Sequence, residues 1–286
     1  MSGPVGGGQV FRYGADGRWL GSWGGPGEGP GEFGRNLGVF PGRADSIYVV
    51  DNSRYRVSLL DPDGKFIRSF AIPGQAVAYA TLSTGDLLFH FRPSGRADDE
   101  RSLFYMMDPS GAGLARFGTS TRADVESDQW VVGAHSTGGF WTGSVWRYEL
   151  YRWQSPDSLV QTVTRRVGWF PPDGRLSPEM YVSDPPPPQL MHIAVDDGGR
   201  VWTYSWVPDR NWAPNEARSP TPEWTRANFD TMIEVIDVEA GTVLAAARSD
   251  YMLGHACNDN LAYAVVETHA GDTRVVVLEP RLVGGA

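Results

Sequence analysis

A hairpin recurs along this chain at near-constant spacing, and that recurrence limits the possible folds more than any other feature. The unit is an apolar strand, a turn built on Asp, Pro or Gly, and a second apolar strand. It reads Val10-Phe-Arg-Tyr-Gly-Ala-Asp-Gly-Arg-Trp-Leu20, then Val57-Ser-Leu-Leu-Asp-Pro-Asp-Gly-Lys-Phe-Ile67. It returns as Phe104-Tyr-Met-Met-Asp-Pro-Ser-Gly111, more weakly as Leu150-Tyr-Arg-Trp-Gln-Ser-Pro-Asp-Ser-Leu159, and as Ile233-Glu-Val-Ile-Asp-Val-Glu-Ala-Gly-Thr-Val-Leu244. The last copy is Val275-Val-Val-Leu-Glu-Pro-Arg-Leu282. Aligned at Gly14, Asp61, Asp108, Gln154, Asp237 and Glu279, the copies lie 47, 47, 46, 83 and 42 residues apart. The long interval is a single repeat, because only one further strand pair lies inside it, 191–195 with 200–205. Pro-rich insertions at 168–188 and 208–229 fill the rest.

A second strand pair precedes each hairpin. Examples are 37–40 with 47–51, 76–82 with 86–91, 129–134 with 139–145, and 252–256 with 261–266. These runs are short, β-branched or aromatic, and bounded by Gly, Asp, Asn or Ser, which are strand signals. No window keeps a helical period. Each repeat is therefore four antiparallel strands, a to d, and such sheets bury their faces only by stacking radially. The expected fold is all-β: one β-propeller domain over 1–286. Its blade units are 9–23 (partial), 36–70, 75–118, 128–166, 189–248 and 250–280 (partial). The first partial unit supplies only a c–d hairpin, and the last supplies a, b and c. A six-bladed ring of four-stranded blades needs 24 strands, and the sequence offers 21. The expectation is a six-bladed parent lacking about three N-terminal strands, with a start further upstream. The alternative is a five-bladed ring in which 18–23 closes the last blade.

Composition narrows the function classes. Lys+Arg 25 against Asp+Glu 34 gives a net charge of −9, which opposes a general affinity for nucleic-acid phosphates or anionic membranes. The single cysteine, Cys257, rules out an intramolecular disulfide and a Cys-cluster metal site. No apolar run reaches the ~18 residues of a membrane-spanning helix. The stretch 1–9 is Gly-rich and lacks the apolar core of a signal peptide.

The stretch 21–70 carries a family likeness. Gly24-Gly-Pro-Gly-Glu-Gly-Pro-Gly-Glu-Phe33, then Ile47-Tyr-Val-Val-Asp-Asn-Ser-Arg-Tyr-Arg-Val57, then Asp61-Pro-Asp-Gly-Lys-Phe66 resembles an NHL repeat. The other blades keep only the strand rhythm and the turn. The whole chain resembles bacterial six-bladed propellers of the NHL/TolB-like type. That resemblance implies an exported parent, periplasmic or extracellular, although this chain shows no export signal. The motif residues read as structural. Asp51, at a strand end, is expected to accept backbone N–H bonds from the following turn. Asp61, Asp108 and Asp237 are expected to cap the turns that they open. The glycines from Gly24 to Gly31 lack the following Lys-Ser/Thr and the helix start of a phosphate loop.

Strand order assigns every loop to a face. The a–b and c–d loops share one face and are short. The b–c and d–a loops share the other and include the long segments 24–35, 92–101, 168–188 and 208–230. Elaborated loops on a rigid scaffold mark the working surface. The third carries Trp169, Phe170, Met180, Tyr181 and a run of prolines at 185–188; the fourth carries Arg210, Trp212, Trp224 and Arg226. Trp, Tyr and Arg are the usual interface anchors, and a proline run lowers the ordering cost of binding. The expected function is a non-catalytic binding or scaffold module. Its partner is a protein, peptide or glycan docked through Trp169, Tyr181, Arg210, Trp212 and Trp224. The same aromatics could instead staple the loops to the rim.

The alternative is a metal-dependent lyase or lactonase-type hydrolase acting in the central channel. The resemblance implies a channel cation, Ca or Zn, held by His or carboxylate ligands in such enzymes. His90, His192 and His255 are the candidate ligands, and no ligand motif is local in sequence. The expected cofactor is none. No Gly-x-Ser-x-Gly or His-Glu-x-x-His motif occurs. RNA binding, known for some NHL domains, is disfavoured. Arg210, Arg218 and Arg226 share their loop with Glu216, Glu223 and Asp230.

Overall fold

A computed structural model describes residues 7–14, 16–92, 101–120, 129–135, 138–171, 184–214, 228–255, 261–267 and 273–283. Among them there is no helix. The strands are β1 (Gln9–Tyr13), β2 (Trp19–Gly24), β3 (Leu37–Pro41), β4 (Ile47–Asp51), β5 (Arg56–Leu60), β6 (Phe66–Ala71) and β7 (Ala76–Thr81). They continue as β8 (Leu87–Phe91), β9 (Arg101–Met107), β10 (Gly113–Ser120), β11 (Trp130–Ala134), β12 (Phe140–Ser144), β13 (Glu149–Ser155) and β14 (Ser158–Thr164). The last are β15 (Gln189–Val195), β16 (Val201–Pro208), β17 (Phe229–Asp237), β18 (Thr242–Ser249), β19 (Gly254–His255), β20 (Ala262–Glu267) and β21 (Thr273–Leu278).

They pair as four antiparallel four-stranded sheets, β3–β6, β7–β10, β11–β14 and β15–β18, each in chain order. The two-stranded hairpin β1–β2 precedes them and the three-stranded sheet β19–β21 follows. The long interval is thus one repeat, spanning β15 to β18. The fold is a β-propeller. Its radial order is visible in the innermost strands, which touch in the sequence β3, β7, β11, β15, β19. Gly133 permits one of these approaches, because a Cβ there would stand 2.6 Å from the Ile193 carbonyl oxygen on β15.

Burial along each sheet follows its position. The second strands are sandwiched between neighbouring sheets, so β8 and β12 are buried at every residue. The outermost strands face solvent on one side and alternate, as in β14 and β18. The core lies between consecutive sheets. Phe40, Val50, Leu87 and Phe89 join β3–β6 to β7–β10. Leu88, Phe104, Trp130 and Phe140 join β7–β10 to β11–β14. Trp141, Leu150, Leu190 and Ile193 join β11–β14 to β15–β18, and Trp202, Tyr204, Ala262 and Ala264 carry the core on to β19–β21. Each fully buried large side chain contributes about 1.5–3 kcal/mol. The β1–β2 hairpin seats Val10 and Trp23 on Phe33 of the lead-in loop and on Val49 and Leu60 of the next sheet.

The turn aspartates cap as expected. Asp61 Oδ1 accepts the Asp63 and Lys65 N–H groups at 3.0 and 2.8 Å. Asp108 Oδ1 accepts those of Ser110 and Ala112 at 2.8 and 3.0 Å. Asp237 Oδ1 accepts those of Glu239 and Ala240 at 3.1 and 2.9 Å. Closure by the alternative five-bladed route is not the pairing observed. Among the described residues β2 pairs with β1, and β21 pairs only with β20.

Candidate functional site

Antiparallel order within each sheet brings the strand ends that flank 25–36, 92–100, 121–129, 165–188 and 209–228 to one end. The opposite end carries the compact turns 42–46, 82–86, 135–139 and 196–200, together with the c–d turns. The candidate residues belong to the elaborated end.

The lead-in 25–36 is fixed by the buried Asp51. Its Oδ2 accepts the Gly34 N–H at 2.8 Å and the Arg54 guanidinium at 3.0 Å, and its Oδ1 accepts the Ser53 hydroxyl at 2.6 Å. The backbone donor is therefore upstream, in the glycine-rich lead-in, rather than in the following turn. Only side chains of that turn reach the carboxylate. Burial pushes the Asp51 carboxyl up, but these three donors outweigh it and hold the group below the ordinary carboxylate value. Asn52 then ties this loop to the next sheet: its side chain donates to the Ala76 carbonyl at 2.9 Å and accepts the Ala76 N–H at 2.8 Å. A cavity of about 560 Å³ opens here between Gly8, Pro26, Gly27 and Phe33, with Arg35 and Arg54 on its wall.

The loop after β16 starts with a turn at Asp209. The Asp209 carboxylate accepts the Asn211 N–H at 2.6 Å, and its carbonyl accepts the Trp212 N–H at 3.0 Å. This places Arg210, half exposed, beside two carboxylates. It reaches Asp250 at 2.5 Å and Asp230 at 3.7 Å. The buried Asp230 also pairs with Arg248 at 2.6 Å. Two buried polar atoms in this cluster, Asp230 Oδ1 and Trp212 Nε1, have no hydrogen-bond partner among the described residues. A buried polar atom left unpaired costs about 1–3 kcal/mol, so a ligand that engages such an atom gains by doing so.

Trp169 sits differently. A tight turn, with the Phe170 N–H on the Val167 carbonyl at 3.1 Å, folds it onto the core. Its ring lies 5.7 Å from Tyr148 and 5.8 Å from Phe170, half-buried against the cluster between β11–β14 and β15–β18. Trp169 is a staple here. Tyr181 and Trp224 lie outside the described residues.

Beneath this staple is a polar network that sequence reasoning missed. The Tyr148 hydroxyl donates to Glu234 Oε2 at 2.8 Å and lies 2.5 Å from Thr203 Oγ1. Arg165 grips the same carboxylate with two bonds, at 3.2 and 3.1 Å. Burial pushes the Tyr148 phenol well above its ordinary value, and the Glu234 charge adds to the effect. The sequence signal was Glu234 itself, a carboxylate set between the apolar Ile233 and Val235 of β17.

Of the histidines, His90 is fully buried, donates Nδ1–H to the Leu103 carbonyl at 2.8 Å, and packs on Phe104. His192 packs on Tyr204, with ring centroids 5.8 Å apart. His255 closes the short strand β19, and its side chain lies outside the described set. Among the described residues, no group of three His, Cys, Asp or Glu side chains could hold a metal ion. Those residues also include no helix long and apolar enough to cross a membrane. On the opposite face, His135, Arg152, Arg200 and Glu239 line a smaller cavity of about 140 Å³.

No protein-family model matches this sequence, and no curated protein matches it either. Solved structures do. A member of the DUF4221 family from Bacteroides vulgatus superimposes with a TM-score of 0.63 at 12% identity, covering 95% of this chain and 86% of that one. A Bacteroides fragilis protein thought to be exported gives 0.59 at 11% identity, covering 94% and 83%. Virginiamycin B lyase from Staphylococcus aureus gives 0.50 at 10% identity, covering 97% and 92%. These are β-propeller-like proteins, and at such identities the likeness shows the fold alone.

Proposed function

We propose that this protein is a binding propeller of the six-bladed NHL/TolB-like type. It recognises a protein, peptide or glycan through its long-loop face and performs no chemistry of its own. The observation that carries this reading is the asymmetry of the two ends, with Arg210 half exposed on the elaborated one. The cavity beside Arg35 and Arg54 supplies a recess on the same face for a polar or acidic group of the ligand. Tyr181 and Trp224 are the further contacts in this proposal, and Trp169 holds its loop in place.

The test is a combined peptide and glycan array probed with the wild-type protein and with Trp212→Ala and Trp224→Ala. Ligands that bind the wild type should lose at least about tenfold in affinity in each variant, the scale of a binding hot spot. Hits retained by both variants would remove these residues from the site.

A further inference from the structure

The compact end carries a recess that the proposed function does not use. This cavity of about 140 Å³ lies where β11–β14 meets β15–β18. His135 after β11, Trp141 on β12 and Arg152 on β13 line it from one sheet. Arg200 before β16, Asp237 at the end of β17 and Glu239 in the following turn line it from the other. Both guanidinium groups are anchored at one nitrogen. Arg200 Nε donates to Asp196 Oδ2 at 2.8 Å, and Arg152 Nη1 donates to Glu239 Oε1 at 3.0 Å. Asp196 is itself fixed. Its Oδ1 accepts the Gly198 and Arg200 N–H groups at 2.9 and 3.0 Å, and its Oδ2 accepts the Trp202 indole N–H at 3.0 Å. A guanidinium carries several N–H donors in a planar fork, so one anchoring bond holds it in place and leaves donors for another acceptor. The carboxylates are engaged in the same one-sided way. Asp237 Oδ1 caps its turn and Glu239 Oε1 takes Arg152, which leaves acceptor capacity on Asp237 Oδ2 and Glu239 Oε2. His135 adds no third cation at neutral pH, because burial, and then the Arg152 charge, holds its imidazole below the ordinary 6.5.

We propose that this recess binds a small zwitterion of the α-amino-acid class, its carboxylate on the Arg152 and Arg200 forks and its ammonium on Asp237 and Glu239. The charge balance of the lining selects that class. Two guanidinium groups stand against two carboxylates. A simple anion meets both carboxylates, and a simple cation meets both arginines. A zwitterion sets each of its ends against the opposite charge. Size restricts the ligand further. A cavity of about 150 Å³ holds a molecule the size of benzene, so glycine, alanine and serine fit and an aromatic amino acid does not. A peptide is a poor occupant, because its two terminal charges lie on different residues. The site is therefore separate from the long-loop face in both place and ligand.

The test is isothermal titration calorimetry of the full chain with glycine, L-alanine and L-serine. At least one of them should bind saturably. For that ligand, the matching carboxylate without the amine, and the matching amine without the carboxylate, should each bind at least about tenfold more weakly. Acetate and methylammonium are this pair for glycine, and propionate and ethylammonium for alanine. Arg200→Met removes one fork, and Asp237→Asn removes a charge while keeping an oxygen to cap the turn. Each should weaken binding of the amino acid at least about tenfold, with a thermal transition that stays cooperative. Arg210→Glu, at the opposite end, should leave the affinity unchanged. No saturable binding of any of the three amino acids would overturn the proposal. So would a lone carboxylate or amine that binds as tightly as the amino acid, or unchanged affinity in either folded variant at Arg200 or Asp237.

Discussion

Asp51 ties the lead-in at Gly34 and the turn at Ser53 and Arg54 to one carboxylate, and its ionisation is part of the fold. The Gly34, Ser53 and Arg54 donors all require the charged form. Its folded value is depressed below the ordinary 3.8. The stability it contributes is therefore fully present above the unfolded value and is lost as pH falls through the folded one. Asp51→Asn keeps the shape but turns an acceptor into a donor facing donors. We predict a loss of about 2 kcal/mol at neutral pH, the scale of hydrogen bonds to a charged group, read by urea denaturation. The variant should also show a shallower fall in stability below pH 4 than the wild type. An unchanged acid limb would mean that other carboxylates carry the acid dependence. Asp196 is the first to compare. Burial raises its carboxyl, but the donors on Trp202 and Arg200 outweigh that and leave it below its ordinary value.

At the scale of elements, turn chemistry and strand rhythm made most of the architecture readable. Asp61, Asp108 and Asp237 act locally, within four residues of their own backbone, so a sequence pattern captures them. Long apolar runs such as Leu87–Phe91 read as strands buried on both faces, which is what radial stacking demands. Non-local partners were not readable. Gly34 lies 17 residues from Asp51, and Tyr148 lies 86 residues from Glu234. Trp169 looked like an interface anchor because an aromatic in a long loop carries no mark of which way it points. Its fold-back follows from the turn at Val167 and Phe170. The Tyr148 network locks β11–β14 to β15–β18, so its removal should be felt as global stability. Tyr148→Phe deletes one donor to a buried carboxylate and should cost about 1–2 kcal/mol. That corresponds to a fall in melting temperature of about 2–4 °C for each kcal/mol, readable by calorimetry. A change within error would show that Arg165 alone satisfies Glu234.

At the scale of the whole molecule, the proposed function assigns different roles to the two ends of the propeller. One end is closed by tight, self-capped turns. The other carries the lead-in cavity, the Arg210 cluster and the loops at 165–188 and 209–228. The end to which each loop belongs was readable in the sequence, because antiparallel order alone assigns it. The contacts that the loop residues make were not, because they depend on packing between repeats. The measurement that tests the choice most directly reverses one charge on each face and repeats the peptide and glycan array. Arg210→Glu alters the elaborated face, and Arg152→Glu alters the compact one, where Arg152 pairs with Glu239 at 3.0 Å. The account predicts that array ligands of the wild type are lost with Arg210→Glu and kept with Arg152→Glu. The reverse pattern, with binding kept by Arg210→Glu and lost with Arg152→Glu, would place the working surface on the short-turn face and contradict it.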